Sequence, residues 1–253
     1  MRHKMRSTIF SLFFLLLSVN VCGQKMDNVI FCSLDTFIVK PVSEFRHIQK
    51  ASVDSFAPYK AVWCEKCSKF GARIEIGISI YHYNQKTKDW LGNHGGPNFN
   101  FILTYDKFNL GFRFKPWTVS PNEELLFDNK VLPKYANLNP IKLDFYTGYS
   151  FDFEHISLEP YLGFSRNIFT VINEDELQET FSFPSVTGFI NGVTVNKYFK
   201  IKNYEYISVF ANVGYSIVDY TKVHNALGKN YFEWSIGIAY KGFFTKRFMQ
   251  KIE

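Results

Sequence analysis

From about residue 72 onward the chain alternates with a period of two. Ile74, Ile76, Ile78 and Ile80 are interleaved with Glu75, Gly77, Ser79 and Tyr81. Phe99, Phe101, Leu103 and Tyr105 keep the same spacing, and so do Leu110, Phe112 and Phe114 against Gly111, Arg113 and Lys115. A fourth segment sets Ile141, Leu143, Phe145, Thr147, Tyr149, Phe151 and Phe153 against Lys142, Asp144, Tyr146, Gly148, Ser150 and Asp152. Ile156, Leu158, Leu162 and Phe164 oppose Ser157, Glu159, Tyr161 and Gly163, and a less regular segment covers about 185–199. The last two carry Ile207 to Ile217 and Phe232 to Tyr240 on one parity. In an extended chain successive side chains point to opposite faces, so this pattern predicts eight strands, each with one apolar face.

The connections alternate as well. Consecutive predicted strands are separated by about 14, 2, 21, 2, 16, 6 and 10 residues. Long and short links in turn are what an up-and-down antiparallel barrel gives, with long loops on one rim and tight turns on the other. The short links are Asp106-Lys107, Glu154-His155 and the stretch from Lys200 to Glu205. The long ones read as solvated tips: Asn93 to Pro97, Ser120 to Glu124 and Asn173 to Glu176. The predicted fold is all-β, with eight strands over residues 72–244. Segments 36–42 and 57–63 could raise the count to ten.

Alternation does not by itself say which face is inside. Three features put the apolar face outward. Gly77, Gly111, Gly148, Gly163, Gly192, Gly214 and Gly237 fall on the polar parity, and the interior of an eight-stranded barrel has room only for side chains to fill it. The same parity carries both signs of charge, at Glu75, Arg113, Lys115, Lys142, Asp144, Asp152, Glu159, Glu233 and Lys241. These predict a neutralising charge network in a narrow lumen. The apolar parity has almost no charge at central positions, where Lys or Arg would cost roughly 2–4 kcal/mol in a bilayer. Aromatic residues near strand ends (Tyr81, Tyr83, Tyr105, Phe108, Trp117, Phe153, Tyr231) are placed as interfacial girdles would be.

The N-terminus changes how the net charge is read. Arg2, Lys4 and Arg6 precede the run Ile9 to Leu17, and Val21-Cys22-Gly23 follows. This is the form of a secretory signal peptide over residues 1–23, cleaved before Gln24. Cys22 offers a lipoprotein alternative, although Val19-Asn20-Val21 lacks the small residue expected before a lipidated cysteine. Removing three basic residues from 29 leaves 26 against 23 acidic ones, so +6 falls to +3. No basic stripe of the nucleic-acid-binding kind remains. With 46% hydrophobic and 19% aromatic residues, disorder is excluded.

The remaining cysteines are Cys32, Cys64 and Cys67. Cys64-Glu65-Lys66-Cys67 reads as a structural or incidental pair, a disulfide, or a redox or metal pair. The βαβ context of a redox motif and the second ligand pair of a zinc site are both missing. Residues 24–71 form an irregular periplasmic segment, with a short helix predicted over Val42 to Ala51. Residues 245–253 form a basic tail.

At this point the chain resembles the small eight-stranded outer-membrane barrels of Gram-negative bacteria, of OmpA/OmpX type, over residues 72–244. Its Phe- and Tyr-rich composition and its Gln24 start are also similar to exported Bacteroidota barrels. Pro160 inside the fifth strand and the basic tail after Phe244 depart from the pattern. The resemblance implies outer-membrane lipid as the surroundings, and an envelope or host-surface protein as partner through the long loops. It implies no cofactor, metal or enzymatic activity.

Some barrels of this size modify lipid A, and His155, Ser157 and Glu159 share one parity. Such a triad is disfavoured, because residues two apart on a strand stand about 7 Å apart and His155 lies in a short turn. A soluble exported barrel with an apolar ligand inside is the third reading. His47, His82, His94 and His224 are scattered, and Asp219, Tyr220 and His224 read as polar loop residues.

Overall fold

The computed structural model describes residues 30–32, 37–39, 59–127, 129–177 and 180–252. The signal peptide, Cys22 and the helix expected over 42–51 lie outside the described residues. Eight antiparallel strands close on themselves: β3 (Tyr59–Tyr83), β4 (His94–Tyr105), β5 (Phe108–Pro116), β8 (Leu138–Tyr149), β10 (Ile156–Val171), β11 (Val186–Lys202), β12 (Glu205–Asp219) and β13 (Lys229–Ile252). Each pairs with its neighbours in sequence order, and β3 closes the ring by pairing with both β4 and β13. Ring closure leaves no edge in this part of the sheet, so the backbone groups of each stave are satisfied on both sides.

The remaining strands are short. β1 (Ile30–Cys32) and β2 (Phe37–Val39) both pair with β3, outside the ring, so the count is eight and not ten. β6 (Leu125–Phe127) and β7 (Lys130–Leu132) form a separate hairpin in the loop between β5 and β8. β9 (Phe151–Asp152) follows a break in the fourth stave.

That break accounts for Pro160. β8 pairs with β10 from Tyr161↔Gly148 upward, and β9 pairs with Ser157 and Leu158. Glu159 and Pro160 fall in the gap on that side, where a missing N–H costs no ladder bond. On the other side Pro160 stays in register with Val193.

Strand pairing runs across the expected boundaries at 71 and 245. β3 runs unbroken from Tyr59, and the supposed tail is the last third of β13, paired from Thr245↔Cys67 to Ile252↔Lys60. Together they form a two-stranded ribbon that projects past the short-turn end. The disulfide also differs from expectation, since Cys32 bonds to Cys64 and Cys67 is free. Residues three apart on a strand are about 10 Å apart and face opposite ways, whereas Cys32 and Cys64 are register partners with Cα atoms 4.0 Å apart. Burial pushes the Cys67 thiol up, which favours its protonated form. A non-reducing digest should therefore yield a linked peptide containing Cys32 and Cys64, with Cys67 recovered as a free thiol. Recovery of a Cys64–Cys67 loop would refute that pairing.

Candidate functional site: the barrel interior and its loop cap

The pleat sorts side chains as the alternation requires, polar inward and apolar outward. Ile76 is 52% exposed, Leu110 62% and Phe164 64%, all on the outer face. The Ile, Leu and Phe parity thus forms an outer belt and lines no internal cavity. Inside, Arg73, Arg113, Lys115, Lys142 and Lys241 face Glu75, Asp144, Glu159 and Glu233, and every one of the nine is at most 6% exposed. Five cations against four carboxylates nearly cancel, as buried charges must if they are to stay ionised.

These charges are arranged in two layers. At the short-turn end the Arg73 guanidinium donates two bonds to Glu159, at 2.6 and 2.5 Å. It donates a third to the Tyr198 hydroxyl at 2.7 Å and lies 2.9 Å from Glu75. Ser157 donates to Glu159 at 3.0 Å, and the Lys241 ammonium lies 5.0 Å from the Tyr198 ring centre. Toward the long loops, Lys115 bonds to Asp144 at 3.0 Å and also to Glu233. Lys142 bonds to Glu233 at 2.7 Å and sits 3.7 Å from Asp144. A planar fork gripping a carboxylate, backed by further donors, is the strong form of such a pair.

Between the layers the lumen is filled by rings. Arg113 lies 4.8 Å from the Tyr146 ring centre and 5.0 Å from that of Tyr161. Asn100 donates to both Glu75 and the Tyr146 hydroxyl at 2.6 Å. Glycines opposite make the room. A Cβ at Gly111 would fall inside the Tyr146 ring, and one at Gly192 would meet the Tyr161 hydroxyl. The interior glycines are therefore sockets for aromatic plugs.

The long-loop end is closed by a hydrophobic cap. Helix α1 (Gln85–Leu91) is capped by Asn84, whose side chain accepts from Thr87 N–H, and ends at Gly92 with φ of 70°, a left-handed conformation suited to glycine. It buries Trp90 and Leu91 in a cluster with Trp117, Leu132, Phe169, Phe181, Val223 and Leu227. The loops are tied together by hydrogen bonds: Gly228 N–H donates to Thr87 Oγ1 at 3.0 Å, and Asn122 N–H to the Trp90 carbonyl at 2.6 Å. A short helix, α2 (Glu174–Leu177), and a 3-10 turn (Tyr220–Lys222) complete the cap.

Several sequence expectations change here. Asp152 is exposed on β9 near the mouth, but as register partner of the buried Ser157 it keeps the inward parity; it forms none of the ion pairs above. Arg73 was missed; it is the hub of the lower layer and sits one period below Glu75 on the polar parity. Tyr81, Tyr83, Trp117 and Tyr231 are buried in the cap and form no girdle, because Tyr81 and Tyr231 continue the inward parity. Tyr105, Phe108 and Phe153, at the opposite end, are exposed as a girdle requires. The long loops pack their apolar residues inward while Asn122, Glu123 and Glu124 stay exposed, and Asn93 to Pro97 belongs largely to β4. Tyr220 is buried, 1% exposed, and donates to Asn167 at 3.2 Å.

The candidate triad does not assemble. Ser157 does reach Glu159, donating to it at 3.0 Å against the expectation of about 7 Å. His155 is exposed in the turn and faces Glu154 at 3.6 Å. Among the described residues no cluster of His, Cys, Asp or Glu is arranged to hold a metal.

The fold and its interior define a class: a closed, eight-stranded up-and-down barrel with polar contents and an apolar exterior. No protein-family model matches the chain, and no curated relative does. Among solved structures it is similar to Ail, the attachment invasion locus protein of Yersinia pestis, solved with the heparin analogue sucrose octasulfate. There the identity is 14% and the TM-score 0.44, over 68% of this chain and 98% of that one. It is also similar to OprG of Pseudomonas aeruginosa, at 11% identity and TM-score 0.41, over 72% and 97%. For Neisserial surface protein A the identity is 13% and the TM-score 0.41, over 71% and 99%. The barrel assignment rests on the strand register and not on these likenesses.

Proposed function

We propose that the chain is an integral outer-membrane β-barrel that acts through its exposed loops, without enzymatic activity and without conducting solutes. The inverted sorting of side chains carries this reading. A belt of Ile, Leu, Val and Phe wraps the ring while nine ionised side chains are buried within it, which is favourable in lipid and unfavourable in water. The short turns and the projecting ribbon then face the periplasm, and the cap faces outward. The sealed lumen favours surface interaction over transport, since the charge layers, the Tyr146 and Tyr161 plugs and the cap lie in series. An envelope or host-surface protein is the partner class this implies. None of the structural neighbours bears on a Bacteroidota origin.

Extraction in mild detergent and electrophoresis with and without boiling tests the barrel. A faster band before boiling is expected, from a fraction that needs detergent. In planar bilayers the same protein should show no steady conductance. A water-soluble protein without the shift would refute the membrane reading, and stable open channels would refute the sealed lumen alone.

A further inference from the structure

The projecting ribbon has one edge covered and one open. β1 and β2 pair along the outer edge of β3, opposite Cys64 to Lys66 and Tyr59 to Ala61. On β13, the pairing with β12 ends at Glu205↔Gly242, and Phe243 N–H donates to the Tyr204 carbonyl at 3.0 Å. From Phe244 to Ile252 no strand among the described residues pairs with the other edge of β13. Nine residues span about 30 Å, and alternate ones aim N–H and C=O away from β3. The base of the ribbon is held firmly, because the Tyr204 hydroxyl also donates to the Glu65 carbonyl at 3.3 Å.

The charge on this ribbon is one-sided. Residues 59–69 and 243–252 contain Lys60, Lys66, Lys69, Lys246, Arg247 and Lys251 against Glu65 alone, six minus one, or +5. The chain carries +6, or +3 without residues 1–23, so this short ribbon holds the whole surplus of the remainder. Glu65 is already paired with Arg247 at 2.6 Å. Lys60, Lys66, Lys69 and Lys246 are exposed.

We propose that the Phe244–Ile252 edge of β13 is a docking site for an acidic, extended segment of a periplasmic protein, which adds to the sheet as a further strand. Strand addition uses backbone bonds for affinity and side-chain alternation for choice. Lysines on an exposed edge discourage pairing between like copies, and +5 facing +5 excludes a second copy of this chain. The same charges select a strand rich in carboxylates; alternating them with apolar residues sets the carboxylates on one face, beside either Lys246 or Arg247, which lie on opposite faces of β13. Placement of the partner in the periplasm rests on the membrane reading, whereas the pairing itself does not.

The test uses the full-length purified protein in detergent, with fluorescent synthetic octapeptides that alternate Glu with Val, Phe or Thr. Fluorescence anisotropy should show the Glu peptide binding at least tenfold tighter than its Lys counterpart. N-methylation at alternate positions of the Glu peptide should cost tenfold or more, because it removes backbone donors and leaves the charge. Reversal of the edge by Lys246→Glu, Arg247→Glu and Lys251→Glu, checked for an intact barrel by heat-modifiability, should invert the preference. Hydrogen exchange should show new protection over 244–252 only with the Glu peptide bound. Equal binding of the N-methylated peptide would overturn strand addition. So would protection of the whole edge before peptide is added, or binding to phosphatidylglycerol vesicles in place of the peptides.

Discussion

Arg73→Met should destabilise the barrel by about 3–5 kcal/mol, the usual cost of removing one partner from a buried ion pair. Arg73 neutralises Glu159 through two bonds and lies beside Glu75, and both carboxylates are at most 4% exposed. Without the guanidinium, Lys241 is the remaining buried cation of that layer. It lies over the rings of Tyr198 and Phe243. Arg73→Lys keeps the charge and loses the fork, so its cost should fall between wild type and Arg73→Met. Adding Glu159→Gln to Arg73→Met should recover part of the loss, since it removes one of the stranded charges. Urea unfolding in lipid vesicles, followed by the heat-modifiable band, measures all three. A loss below about 1 kcal/mol for Arg73→Met would mean that the lower layer is solvated and does not act as a staple.

Much of this arrangement was legible from parity alone. A period of two over eight segments gives the staves, and glycine and mixed charge on one parity give the inside. Eight of the nine proposed network residues are buried inside the barrel. The ninth, Asp152, keeps the inward parity but is exposed at the mouth, because parity does not register how far along the axis a residue sits. The break between Tyr149 and Phe151 was signalled only from across the ladder, by Pro160. Arg73 escaped because the alternating reading began with Ile74, although Arg73 lies on the same parity as Glu75.

The cap was not legible for a different reason. Trp90, Leu132, Phe181 and Leu227 come from separate loops, and polar residues between them made each loop look solvated. Their association depends on the closed ring bringing all the long loops over one mouth, which is tertiary information. Tyr81 and Tyr231 show how the two effects mix: their parity is inward, yet their place near strand ends suggested a girdle. The ribbon was hidden by composition, since Thr245 to Glu253 reads as a basic tail until Lys60 to Cys67 is recognised as its partner strand.

Ile76→Lys should separate a membrane barrel from a water-soluble one more sharply than any interior change. Ile76 is register partner to both Phe99 and Ile238, near the middle of the outer belt and beside the interior Gly77. In a bilayer a lysine there should cost roughly 2–4 kcal/mol, falling to about 0–1 kcal/mol at the interface. Tyr105→Lys and Phe108→Lys, on the short-turn rim, should therefore be nearly silent although those residues are as exposed as Ile76. A soluble barrel predicts a flat series. At a half-exposed surface position, Ile76→Lys should stay within about 0.5 kcal/mol and the rim changes should behave like it. Exposure is the same at all three positions, so depth in the lipid is the variable the series isolates. Unfolding free energies measured in vesicles should fall as the lysine moves from rim to belt centre. A flat series would show that the apolar belt faces water or another protein, and it would do so without disturbing the interior ion pairs.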